Sequence, residues 1–260
     1  MAFFWSGGKL SWMRYMCFYS FSKLNPDWEI RLYTTGVCGR RKWDSGESLD
    51  AEDYRGTAYS IDDLNIEQIE WIPPIANLSP THAADLFRWD YLQTEGGWYS
   101  DTDFLWVRPM PDIDADFVGC ETYGIIGVGL LAGRPNKLWK GLYESALKGY
   151  DPKRYQSTGT EAIYRYVGVP PMMGWERIAQ KLKRYHPTLE IKILPHAVYY
   201  PWAATEVYNI FNKTESVPED CVGIHWFGGS PLGQEWNNKL TGHSCWYLHN
   251  TYTKYARQLL

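Results

Sequence analysis

The sequence predicts an α/β fold in which a mostly parallel central sheet is flanked by helices. Short apolar runs alternate with stretches of helical spacing over most of the chain. Glycine, proline and asparagine separate the two kinds of segment, as breakers do. At 260 residues the chain can bury a full core, and neither a repeat nor a linker interrupts it, so one domain over 1–260 is expected.

Each element has its own warrant. Residues 2–5 are apolar and stop at Gly7-Gly8, as a buried first strand would. Residues 9–24 place Leu10, Met13, Met16, Cys17 and Phe21 at helical spacing, and Asn25-Pro26 ends that helix. Residues 29–34 read as a second strand and 68–72 as a third, halted by Pro73-Pro74. The polar stretch 36–53 between them reads as loop. Ser79-Pro80 pairs an N-cap with a proline at the first helical position, and Gly96-Gly97 terminates the helix it starts. Residues 98–100 and 104–107 read as strand around an acidic centre, followed by strands at 117–120 and 125–132. Helices are expected at 136–148, 159–167 and 174–185, late strands at 191–194 and 222–225, and a last helix over 246–259.

Composition removes some functions. A net charge of −4 disfavours a protein that coats nucleic acid, and the basic clusters Gly39-Arg40-Arg41-Lys42 and Lys181-Leu182-Lys183-Arg184 read as solvated faces. Cys17, Cys38, Cys120, Cys221 and Cys245 are odd in number and lack C-x-x-C spacing, so they fit neither a zinc site nor a disulfide framework. No apolar run approaches the roughly 18 residues of a membrane span. Residues 1–8 turn polar too soon for a signal peptide, and the chain reads as cytoplasmic, with attachment to a membrane surface left open. Fourteen Trp and 20 Tyr supply ring faces suited to sugars and nucleobases, or simply an aromatic core.

The chemistry concentrates in residues 81–109. Asp85 and Arg88 lie three apart on the expected helix and so share a face. Asp101 and Asp103 are two apart in extended chain and point to one side. An isolated D-x-D is usually a solvated turn, but this one is framed by Trp98-Tyr99 and Phe104-Leu105-Trp106. Carboxylates at the carboxyl end of a strand stand where α/β sheets bind ligands, and such pairs hold hard divalent ions with phosphates completing the shell.

The arrangement A-x-D-x-x-R, about seven residues, then G-G-x-Y-x-D-x-D resembles the DXD sugar-binding region of glycosyltransferase family 32. It is also similar to the catalytic region of the large bacterial glucosylating toxins. The resemblance implies a GT-A (Rossmann-like) fold, a nucleotide-diphosphate sugar as donor, manganese or magnesium as cofactor, and retention of anomeric configuration. It further implies a nucleotide-binding part at about 1–109 and an acceptor part at about 110–260. Carried over, Asp103 ligates the metal, and Asp101 contacts the metal or its water together with the donor sugar or ribose. Asp85 and Arg88 hydrogen-bond the donor sugar, with Arg88 also reaching a phosphate. Phe4-Trp5 looks like the end of a first strand where a ring stacks on the nucleobase, although core packing explains Trp5 nearly as well. The segment 222–230 resembles a late motif in which His225 completes the metal shell, with the amides of Gly228 and Gly229 able to cradle a diphosphate. A buried structural histidine remains the alternative. The stretch 124–135 is similar to the strand lining the sugar pocket but lacks the Asn often found there. Thr158-Gly159-Thr160-Glu161 resembles a Thr-Gly-Pro helix entry near the acceptor, without its proline.

The expected reaction is transfer of a sugar, UDP-linked by preference, to an acceptor hydroxyl. Sequence leaves the stereochemistry open: an inverting enzyme would need a base such as Glu161 or Asp116, a retaining one would not. A saccharide is the expected acceptor, with a protein side chain or a hydroxymethylated DNA base as alternatives. Two other classes compete: a phosphatase, disfavoured by Phe104-Leu105 after the second Asp, and a non-enzymatic carbohydrate-binding protein, which leaves the clustered acids and Arg88 unexplained.

Overall fold

The computed structural model describes residues 1–6, 8–36, 38, 54–170 and 173–260. Gly7, most of the expected 36–53 loop and its basic cluster at 39–42 lie outside the described residues. In chain order the elements are β1 (Ala2–Trp5), α1 (Trp12–Leu24), β2 (Arg31–Thr34), β3 (Glu67–Glu70), α2 (Pro80–Thr94), β4 (Gly97–Ser100), β5 (Phe104–Trp106), β6 (Phe117–Thr122), β7 (Ile125–Gly133) and α3 (Lys137–Lys148). There follow α4 (Thr160–Val167), α5 (Trp175–Tyr185), β8 (Ile191–Leu194), α6 (Tyr208–Phe211), β9 (Gly223–His225), α7 (Pro231–Lys239) and α8 (Thr251–Ala256).

Seven strands form the central sheet in the order β3-β2-β1-β4-β7-β6-β8, and β5 pairs with β9 in a second, two-stranded sheet. Pairing is parallel except where β7 meets β4 and β6. The α/β, mostly parallel sheet flanked by helices is therefore the architecture the sequence predicts. Its core follows the two-residue period of a strand buried on both faces. Phe3 and Leu32 pack with Cys17, Phe18 and Phe21 of α1, whereas Ala2, Phe4 and Tyr33 cluster with Ala83, Leu86 and Phe87 of α2. Each fully buried ring of this kind contributes about 1.5–3 kcal/mol. Trp12, Met13 and Met16 meet a third cluster containing Leu105, Ile224 and Trp226. That leaves α1 covered on two sides, which explains why it is apolar nearly all round.

Three expectations need correction. The strand foreseen at 104–107 belongs to another sheet: the chain leaves the central sheet after Ser100, and Phe104–Trp106 pairs antiparallel with Gly223–His225. The expected helix at 246–259 is broken into a 3-10 turn at Ser244–Trp246 and α8, because the Asn250 side chain accepts the Thr253 amide at 2.8 Å and starts a new helix there. Finally, α6 and α7 were not foreseen; Ser230-Pro231 opens α7 with the same cap-and-proline pattern that opens α2 at Ser79-Pro80.

The turn from α2 into β4 sets the approach to the acidic centre. The amides of Glu95 and Gly96 both donate to the Tyr91 carbonyl, at 2.8 and 2.9 Å. Gly96 and Gly97 then take φ of 73° and 93°, a region that disfavours side chains. A Cβ on Gly96 would sit 2.6 Å from Pro135 Cδ and 2.8 Å from the Gly133 carbonyl oxygen. Gly96→Ala is expected to lower stability by about 1–3 kcal/mol, since it adds left-handed strain to a backbone overlap. Urea denaturation checks this; an unchanged midpoint would refute the packing argument.

Candidate active site

Asp101 follows the last residue of β4, and Asp103 precedes the first of β5. The D-x-D segment is thus the crossing between two sheets, and each acid is anchored by a different one. The Asp101 amide donates to the Gly129 carbonyl of β7 at 2.7 Å. The Asp103 carbonyl accepts the Trp226 amide just beyond β9 at 2.9 Å. Because β5 pairs with β9, His225 sits directly opposite Phe104. Ligand atoms of Asp101, Asp103 and His225 all lie within 4.8 Å of one another.

A cleft of about 840 Å³ opens over these residues. That is the size range of small-molecule sites, roughly 300–1,000 Å³. Its floor is an ion network centred on Arg88, whose side chain is 3% exposed. One guanidinium nitrogen meets Asp85 Oδ1 and Asp101 Oδ1, each at 3.0 Å. The other donates to the Val128 carbonyl at 2.6 Å, and Nε donates to the Ala84 carbonyl at 3.4 Å. Tyr99 lies against the guanidinium at 4.9 Å and donates its hydroxyl to Asp101 Oδ1 at 2.5 Å. Asp85 Oδ2 accepts the Thr158 hydroxyl at 2.9 Å. A side chain at Gly159 would come within 2.8 Å of that same oxygen, so the loop needs glycine there.

The two central acids are held differently. Burial pushes the Asp101 carboxyl up, and nearby Asp103 adds to this, against the pull of Arg88 and the Tyr99 hydroxyl. Burial also opposes ionisation of Asp103. There the His225 imidazole, the Arg14 guanidinium and the Gly228 amide prevail and hold the carboxyl well below the usual range. Burial raises Asp85 despite Arg88 and Thr158. The contacts to Asp103 are 3.1 Å from His225 Nε2 to Oδ1 and 2.7 Å from the Gly228 amide to Oδ2.

These residues fit a hard divalent ion. Asp101 Oδ1 is tied to Arg88 and Tyr99, leaving Oδ2 turned toward Gly129. A Cβ on Gly129 would lie 2.9 Å from Asp101 Oδ2, 3.0 Å from the Tyr200 hydroxyl and 3.4 Å from His225 Nε2. Glycine keeps open the space on which these atoms converge. Two carboxylate oxygens and an imidazole nitrogen around such a space suit manganese or magnesium.

Several sequence expectations meet a different geometry. Arg88 is expected to reach a phosphate, but its donors are already placed in the floor. The Gly228 amide, expected at a diphosphate, is spent on Asp103, while Gly229 lines the cleft. Phe4 borders the cleft but is 4% exposed, its ring stacked on Phe87 at 5.1 Å, so most of it is core. Trp5 lines the cleft half-buried. Neither proposed base reaches the site: Glu161 pairs with Arg154 at 2.7 Å and Asp116 with Arg134 at 3.0 Å, and neither lines the cleft. The sequence reading missed Arg14, Tyr99 and Tyr200. Tyr99 carried a signal, since it stands two residues before Asp101 on a strand and so shares its side.

Residues 11–118 match the family described as glycosyltransferase sugar-binding region containing DXD motif. The matched residues take in α1, α2 and the acidic crossing. No curated protein matches the sequence. Among solved structures, the chain is similar to the PaToxG glycosyltransferase, at 15% identity over 72% of this chain and 83% of that one, with a TM-score of 0.45. It is similar to the galactosyltransferase LgtC in complex with donor and acceptor sugar analogues, at 15% identity over 93% and 84%, with a TM-score of 0.35. A third likeness is the glycosyltransferase GlyE of Streptococcus pneumoniae TIGR4, at 10% identity over 99% and 62%, with a TM-score of 0.43.

The floor network generates a stability test. Arg88→Met leaves the buried Asp85 and the half-buried Asp101 without their cation, and removal of one partner from a buried pair such as Arg88–Asp85 typically destabilises by about 3–5 kcal/mol. Guanidinium denaturation should show a loss of that order. A loss below about 0.5 kcal/mol would mean that Arg88 is a surface-like ligand contact instead.

Proposed function

We propose that this chain, with its DXD-containing sugar-binding region at residues 11–118, is a metal-dependent glycosyltransferase of GT-A type. It takes a nucleotide-diphosphate sugar, UDP-linked by preference, and transfers the hexose to an acceptor hydroxyl with retention of configuration. The observation that carries the reading is the convergence of Asp101, Asp103 and His225 over Gly129, on the floor of the cleft.

Asp101, Asp103 and His225 would hold manganese or magnesium. The bound ion supplies Lewis-acid stabilisation of the charge that develops on the departing diphosphate. The chain's own residues do the rest. Arg88 and Tyr99 fix the orientation of Asp101, and Gly228 fixes that of Asp103. Asp85 borders the cleft and is oriented by Arg88 and Thr158, which suits it to accept a donor-sugar hydroxyl. Trp5, at the end of β1, offers its ring to the nucleobase.

Retention is supported by what the cleft wall contains. Among the described residues that line it, the carboxylates are Asp85, Asp101 and Asp103. All three are already engaged, so among the described residues no carboxylate of the cleft stands ready as a base for backside attack. A front-face path needs none, because the leaving phosphate oxygen can take the acceptor proton. A saccharide is the favoured acceptor, as Tyr123, Tyr155 and Thr205 give the wall both rings and hydroxyls. A protein side chain or a hydroxymethylated base remains an outcome of the acceptor screen, and the net charge of −4 disfavours the latter. No helix among the described residues is long and apolar enough to cross a membrane. The five buried thiols accord with a cytoplasmic setting.

Incubation with a panel of nucleotide sugars should release nucleoside diphosphate only with manganese or magnesium, and a chelator should stop it. Absence of release from every donor would sink the assignment. Asp103→Ala should lower kcat/KM by about 100-fold or more. Gly129→Ala should abolish manganese binding in calorimetry, because its methyl fills the space between the ligand atoms, while the melting temperature falls little; unchanged manganese affinity would refute the placement of the metal. The anomeric proton coupling of the first product, read by NMR, should match that of the donor, and an inverted product would overturn the front-face reading.

A further inference from the structure

Arginine and lysine side chains commonly receive phosphate groups, and Arg88, the residue expected to reach the donor's, is engaged in the floor of the cleft. Among the described residues lining the cleft, the positively charged or protonatable side chains are Lys9, Arg14, Arg88 and His225. Arg88 has its donors committed to Asp85, Asp101 and two carbonyls. His225 turns Nε2 to Asp103. Lys9 is exposed. Arg14, on the first turn of α1, is different in kind.

Its guanidinium carbon lies 5.2 Å from the Trp5 ring centroid and 4.8 Å from that of Trp226. NH1 donates to Thr102 Oγ1 at 2.8 Å, the residue between the two acids, and stands 4.0 Å from Asp103 Oδ1. Nε is buried and has no hydrogen-bond partner. A side chain on Gly228 would come within 2.5 Å of NH2, so the glycine leaves room for the guanidinium. Indole faces pin a guanidinium without consuming its in-plane N–H groups, so those not given to Thr102 stay open to an anion. The group is therefore charged, pre-positioned and only partly satisfied. It stands beside the metal ligand Asp103 and against Trp5, the ring proposed for the base.

We propose that Arg14 is the side chain that receives the diphosphate of the nucleotide donor, while Arg88 only positions Asp85 and Asp101. This rests on the glycosyltransferase reading above and identifies which residue recognises the donor's charge. Because the diphosphate bridges base and sugar, a fork at this point contacts it in the donor and in the nucleotide product alike. Arg14 is then a determinant of diphosphate over monophosphate.

Calorimetric titration of the full chain with manganese present tests this. Uridine, guanosine, adenosine and cytidine 5′-diphosphates are each compared with the matching monophosphate. For the wild type, at least one diphosphate should bind clearly more tightly than its monophosphate. Arg14→Gln should weaken that diphosphate by about 10- to 100-fold, the range of a charge-assisted bidentate contact. The monophosphate and manganese alone should change less than about threefold. Arg14→Lys, which keeps the charge but not the fork, should recover part of the loss. Equal weakening of diphosphate and monophosphate would overturn the proposal, because Arg14 would then merely shape Trp5. An unchanged diphosphate affinity would overturn it too, as would an Arg14→Lys variant no better than Arg14→Gln. If the wild type binds none of the diphosphates, the donor reading itself fails, and this inference with it.

Discussion

One buried guanidinium organises this site. Arg88 sits with 3% of its side chain exposed between two carboxylates from different elements, Asp85 of its own helix and Asp101 beyond β4. Two acids so placed would repel each other, and burial pushes both carboxyls up, with Asp103 adding to the effect on Asp101. The cation makes the arrangement tolerable, and the Val128 carbonyl on β7 ties it to the sheet. Helix α2, strand β4 and strand β7 therefore meet at a charge as well as through the apolar cluster that holds Phe87, Tyr99 and Leu131. The precision of Asp101 follows from this, because its Oδ1 is fixed by Arg88 and Tyr99 before any ligand arrives.

The second constraint is topological. Residues 100 to 104 carry the chain from the central sheet into the β5–β9 pair, and that pair draws His225 from more than 120 positions downstream to the side of Asp103. Phe227, at φ 52°, turns the backbone sharply after β9 and lets Gly228 point its amide back at Asp103. Left-handed backbone at an aromatic residue is unfavourable, and here it buys one hydrogen bond to a buried acid. The ring is not idle: it packs edge-on against His225 at 4.4 Å and so limits the imidazole's rotation.

Much of this was legible in the sequence where the cause is local. Ser79-Pro80, Gly96-Gly97 and the apolar run at 2–5 fix α2, its end and β1 through capping, φ preference and burial, and the structure has them there. The acids Asp85, Asp101 and Asp103 stand out because carboxylates in an apolar frame demand a partner. The pairing of β5 with β9 was not legible, since it joins segments far apart and only three residues long. Arg14 escaped for a related reason. On the helix it looks like a solvated side chain, and its meaning comes from Trp226 and Thr102, which reach it through tertiary structure. Gly228 was noticed as part of a phosphate-cradling loop, yet a glycine-rich stretch cannot say whether its amides face a ligand or a carboxylate. Arg88 shows the same limit: helical spacing located it on the face of Asp85, but whether that face is open or sealed depends on β7.

The charges divide accordingly into those that build the site and those left over. Arg88 secures two carboxylate oxygens, and Tyr99, Thr158 and the Gly228 amide secure one each, so these donors are spent within the protein. What still faces outward is Asp101 Oδ2, Asp103 Oδ1 with His225, and the stacked guanidinium of Arg14. Asp101 is anchored by the central sheet and Asp103 by the β9 side, so a cation held by both would span the seam between the two sheets. Its binding energy would then be shared with the packing of α1, whose two faces cover those sheets. The D-x-D motif is commonly read as a pair of ligands. In this chain it is equally a joint, and the spacing of two lets one ion touch both sides of it.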